Sequence, residues 1–121
     1  MKRAWLSLLL LALVAPLSGR AAPQPPAAKG AAKPRLVFFM NPNGRPCQLQ
    51  DQILREMDGE LGPKVEVVYY RTTVARDLDG FRQYGIRSLP MLLLTDASGK
   101  ELRRATPGIQ SAAQVRQLVA N

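Results

Sequence analysis

Apolar residues along this chain are grouped in blocks whose spacing changes from one block to the next. Arg35–Met40 (RLVFFM) is an unbroken apolar and aromatic run between Pro34 and Asn41-Pro42, the pattern of a strand buried on both faces. Over residues 46–61 (PCQLQDQILREMDGEL), Leu49, Ile53, Met57 and Leu61 recur every four positions, which predicts a helix with that stripe on the core. Pro46 suits the first turn of such a helix, where a missing N–H costs nothing, and Gly62-Pro63 ends it. Residues 64–70 (KVEVVYY) are β-branched and aromatic and predict a second strand. Residues 74–85 (VARDLDGFRQYG) predict a short helix with Leu78, Phe81 and Tyr84 inward, closed by Gly85. A third strand at 90–95 (PMLLLT), a hairpin turn at 96–99 (DASG) and a polar edge strand at 100–105 (KELRRA) follow. In the closing helix, 111–121, Ser111 and Gln114 form a capping box, and Val115, Leu118 and Val119 form the apolar stripe. The order β-α-β-α-β-β-α predicts an α/β fold with a central mixed four-stranded sheet flanked by helices.

The first block is different. Lys2 and Arg3 precede an apolar run over 4–17, and Gly19-Arg20-Ala21 offers small residues for cleavage, so residues 1–21 read as a signal peptide. The run is short against the roughly 20 residues of a membrane-spanning helix; cleavage is the first expectation and an uncleaved anchor the alternative. Residues 22–34, rich in Pro, Ala and Lys, read as a flexible linker, leaving one domain at 35–121. The implied location is a bacterial periplasm or the exterior, with no membrane contact once the signal is removed. Formal net charge is +8, and loss of Lys2, Arg3 and Arg20 leaves +5. That excess is scattered and lacks interleaved aromatics, which argues against nucleic acid as a partner.

Candidate chemistry narrows quickly. There are no histidines and a single cysteine, Cys47, which removes zinc sites of the Cys/His kind, His-activated nucleophiles and an intramolecular disulfide. No cofactor or metal is implied. Asp51, Glu56, Asp58 and Glu60 sit at polar helix positions and read as a solvated face, and Asp77 with Asp79 as the start of a helix.

Three segments carry a family resemblance. LVFFMNPNGRPCQ resembles the thioredoxin active-site strand and loop, which end in C-x-P-C at a helix start. YGIRSLPMLLL resembles the segment in which a cis-proline opens a buried strand, and SGKELRRATPG the terminal hairpin whose glycine closes the substrate groove. The resemblance implies a thioredoxin-like fold over 35–119. It assigns Cys47 to the second cysteine of C-x-x-C, Pro46 to the proline before it, Pro90 to the cis-proline and Gly108 to the groove glycine. The first cysteine, the attacking nucleophile, falls on Gly44, the buried strand aspartate on Phe38 and the tryptophan before the motif on Asn43. A dithiol cycle within the motif is therefore impossible.

Two functional expectations follow. In the first, Cys47 works alone, forming a mixed disulfide with a thiol- or disulfide-containing protein or small thiol, or a sulfenic acid. The helix N-terminus and Arg45 beside it would favour the thiolate, and burial would oppose it. In the second, the groove formed by Gly44, Pro46, Leu89, Pro90 and Gly108 holds a peptide without catalysis, and Cys47 is structural. A disulfide-linked dimer through Cys47 is a further possibility that requires an exposed sulfur.

Overall fold

The computed structural model describes residues 33–120; the expected signal peptide and the linker up to residue 32 lie outside the described residues. Strand β1 (Arg35–Met40) leads into helix α1 (Arg45–Glu56), the single turn α2 (Asp58–Leu61) and strand β2 (Glu66–Arg71). A 3₁₀ turn (Ala75–Asp77) and α3 (Leu78–Gln83) precede the hairpin β3 (Met91–Thr95) and β4 (Glu101–Arg104), and α4 (Ala112–Val119) closes the fold. The sheet runs β2-β1-β3-β4, with β2 parallel to β1, and β3 antiparallel to both β1 and β4. This is a mixed four-stranded sheet flanked by helices, the architecture that the sequence resemblance implies.

β1 is central, so its alternate side chains feed two cores, which is why its sequence is apolar without interruption. Leu36, Phe38 and Met40 join Cys47, Leu54, Met57, Leu61, Val115, Leu118 and Val119 under α1, α2 and α4. Val37 and Phe39 join Met91 and Leu93 on the other face, beneath α3. There Phe39 stacks on Tyr70 (5.0 Å between ring centres) and meets Phe81 and Tyr84 edge-on at 5.1 and 5.8 Å. Such pairs stabilise by about 0.5–1.5 kcal/mol each beyond the area they bury. The capping box at α4 is formed: Ser111 Oγ accepts the Gln114 N–H, and Gln114 Oε1 accepts the Ser111 N–H.

Three sequence expectations are corrected. The helix over 46–61 is two pieces, because Met57 leaves helical geometry (φ −95°, ψ 5°). Its buried stripe is Cys47, Gln50, Leu54, Met57 and Leu61, while Leu49 is 37% exposed. A four-residue step overshoots one helical turn by about 40°, so a strict four-residue spacing drifts off the core, whereas alternating steps of three and four stay on it. Leu78 is likewise 37% exposed, since the short α3 buries only Gly80 and leans on Phe81 and Tyr84 for its packing.

Candidate functional site

Three loops converge at one end of the sheet. β1 ends there in loop 41–46, β3 begins there after loop 84–90, and β4 runs toward it into loop 105–110; the register opposing Met91 to Phe39 and the bond from Ala105 N–H to the Leu92 carbonyl fix this. In the first loop the Gly44 N–H donates to the Asn41 carbonyl at 2.9 Å and the Asn43 N–H to Asn41 Oδ1 at 3.0 Å, a turn set by Asn-Pro-Asn-Gly chemistry. Gly44 is then the N-cap of α1, with no side chain to supply a capping acceptor.

Cys47 follows on the third residue of α1, 2% exposed, within the larger core. Its Sγ accepts the Asn41 backbone N–H at 3.3 Å, so the sulfur also ties the loop to the helix. Arg45 and Pro46 are exposed. Among the described residues Arg45 forms no ion pair. On the second loop, the Leu89–Pro90 bond is cis and Pro90 is fully buried; Leu89 packs against both cores. On the third, Gly108 sits at φ +108°, a conformation that disfavours any side chain. The fold thus brings the loops that carry Gly44, Pro46, Leu89, Pro90 and Gly108 to one end of the sheet, with Cys47 buried on the helix that begins there.

Two residues that the sequence reading misses tie α1 to loop 105–110. Gln50, fully buried on α1, donates from Nε2 to the Gln110 carbonyl (3.1 Å) and accepts the Gln110 N–H at Oε1 (2.6 Å). Gln110 in turn donates from its own Nε2 to the carbonyls of Thr106 (2.8 Å) and Gly108 (3.2 Å). The loop that carries Gly108 is therefore clamped to the helix that carries Cys47. The signal was present: Gln50 lies three residues after Cys47 and four before Leu54, a polar residue on the core stripe.

A separate cleft of about 410 Å³ opens at the far end of α1, lined by Leu54, Arg55, Asp58, Val67 and Tyr69. At its edge Tyr69 donates to Asp51 Oδ1 at 2.6 Å, and the Arg71 guanidinium lies over the Tyr69 ring at 4.6 Å. Burial, reinforced by the Asp51 carboxylate, pushes the Tyr69 phenol up to about 12.

Comparison with solved structures agrees with this architecture. An uncharacterised thioredoxin-like protein from Clostridium perfringens superposes with TM-score 0.64 at 16% identity, covering 73% of this chain and 69% of its own. Thioredoxin-2 of the malaria parasite, described as a component of its protein secretion machinery, gives 0.58 at 16% identity over 73% and 82%. A structure described as a malarial protein gives 0.57 at 15% identity over 72% and 93%. These identities speak for the fold alone. Among curated proteins none matches. The sequence model of the thioredoxin-like domain matches residues 24–121, most of the chain, and the protein belongs to that thioredoxin-like family.

Proposed function

We propose that this protein is an exported, non-catalytic binding module that holds an extended peptide segment in the groove between loop 41–46, the Leu89–Pro90 corner and residues 106–108, with Cys47 serving as a packing residue. The observation that carries this reading is the burial of the lone sulfur, 2% exposed beneath a groove whose nucleophile position is Gly44. A thiol must reach its target to attack it, and a mixed disulfide or a covalent dimer needs a sulfur at the surface. The groove itself offers unpaired backbone: no main-chain hydrogen bond joins residues 87–89 to other described residues. Extended segments are held by such groups.

One observation favours the redox reading as a second: the Asn41 backbone N–H reaches Sγ at 3.3 Å, so the sulfur has a polar neighbour from the loop above it. An aromatic disulfide reagent separates the two. In the folded protein its reaction with Cys47 should run about 100-fold or more slower than in guanidinium, because attack waits for opening of the core. A Cys47→Ala variant should bind peptides from a random pool as tightly as wild type. Fast reaction in the folded state, or formation of a mixed disulfide with a disulfide substrate and release of that substrate's other thiol by wild type and not by the variant, would replace the binding reading with the redox one.

A further inference from the structure

Resting on the groove reading above, we propose that the segment it takes is acidic: an extended peptide in which Asp or Glu residues flank an apolar one. The charge that looks scattered along the sequence is gathered by the fold. Arg45 opens α1 and Arg87 lies in the loop entering β3, while Arg76 lies just after β2, so three exposed guanidinium groups come from three loops at one end of the sheet. Among the described residues none of the three forms an ion pair.

Carboxylates are absent from the groove walls, since residues 41–50, 84–95 and 105–120 contain no Asp or Glu. At this end Asp77 is the carboxylate within the loops, and its Oδ2 already accepts the Arg71 N–H at 2.9 Å. Most acids outside these loops pair with a cation of their own, while among the described residues Glu56 and Asp58, at the far end of α1, do not. Asp51 pairs with Arg55, Asp79 with Arg82, Glu60 with Arg116, Glu66 with Arg35 and Glu101 with Arg104. Asp96 accepts the N–H groups of Ser98 and Lys100 in its own turn. The groove end is thus left positive by the placement of charge, and its field favours an anionic occupant.

Two features make that occupant a peptide. Leu49 and Ile109, 37% and 40% exposed, are apolar residues on the two segments that the Gln50–Gln110 bond joins, and supply apolar surface for one side chain. Residues 87–89 supply the free main-chain groups. A nucleic acid would want exposed aromatic faces; residues 41–50, 85–90 and 105–110 have no aromatic side chain.

The test is fluorescence anisotropy with labelled peptides that share one leucine-containing framework and carry Glu, Gln or Lys at the remaining positions, alongside a labelled single-stranded oligonucleotide. At low salt the Glu peptide should bind about fivefold to thirtyfold more tightly than the Gln peptide. The advantage should close as salt shortens the screening length. In Arg45→Gln/Arg87→Gln the Glu peptide should lose its advantage over the Gln peptide, and Lys64→Gln, at the opposite end of the sheet, should leave that advantage in place. Equal binding of the Glu and Gln peptides would overturn the acidic preference and leave the groove reading standing. Failure of every peptide to bind would overturn both. Tighter binding of the oligonucleotide than of the Glu peptide would assign the charge to a different partner.

Discussion

Replacing Gln50 by leucine keeps the side chain's volume and removes both of its hydrogen bonds. The Gln110 N–H and carbonyl, buried at the start of α4, are then left without partners. A stranded buried group costs about 1–3 kcal/mol. Two of them, less what is recovered by no longer burying an amide, put Gln50→Leu at about 2–4 kcal/mol of lost stability. Domains of this size hold roughly 5–13 kcal/mol in total, so the variant folds but loses a large fraction. Urea unfolding followed by far-ultraviolet circular dichroism measures it, the sole tryptophan, Trp5, lying in the expected signal. Gln50→Glu sharpens the test. Its carboxylate could still accept the Gln110 N–H, but its second oxygen would face the Gln110 carbonyl, and burial would raise its pKa above the unfolded value of about 4.3. Stability is then greatest below that unfolded value and falls as pH rises through the folded one. Gln50→Glu should come closest to wild type near pH 4 and drop furthest behind near pH 7. A Gln50→Leu variant within about 0.5 kcal/mol of wild type, or a Gln50→Glu deficit that does not change with pH, would refute the clamp.

Two further outcomes follow from local geometry. A Cβ on Gly80 would lie 2.8 Å from Tyr70 Cε1, and that ring is held by its stack on Phe39, so Gly80→Ala should cost about 1–3 kcal/mol despite the better helix propensity. Gly59→Ala in α2 meets nothing within 4 Å and should gain about 0.5–1 kcal/mol; both are read as shifts in thermal midpoint. In an ultraviolet titration Tyr69 should ionise at about 12, and Asp51→Asn should lower it part of the way, since burial is its larger cause. Because that folded value lies above the unfolded one of about 10, its stabilising contribution is whole below pH 10 and is lost as pH rises toward 12.

The central strands are the most legible part of the fold, because burial on both faces leaves a run such as LVFF or MLLL no polar interruption. The α4 capping box is legible for the opposite reason, being made entirely by residues three apart. The helix stripe is harder to place. Leu49 and Leu54 are both leucines on α1, and which one faces the sheet depends on the phase set by Cys47 and Met57. Of the site, the loop motif and Pro90 are visible as local patterns, whereas the Gln50–Gln110 clamp joins positions 60 residues apart and exists only once α4 docks. The gathering of Arg45, Arg76 and Arg87 is invisible for the same reason, since only the strand order makes neighbours of those loops.

The two faces of the sheet are unequally filled. Thirteen buried side chains lie under α1, α2 and α4, and four lie under α3. Fewer fully buried side chains are uncovered when the thinner layer lifts, and the residues that complete it, Tyr70, Phe81 and Tyr84 among them, are only partly buried, which should let it open at lower free energy than the thicker one. Loop 84–90 is attached to that layer, while the opposing wall at 106–108 is fastened through Gln110 to the thicker one. The two sides of the proposed groove are therefore held unequally, one by the thinner core and the other, through Gln110, by the helix that spans the thicker one.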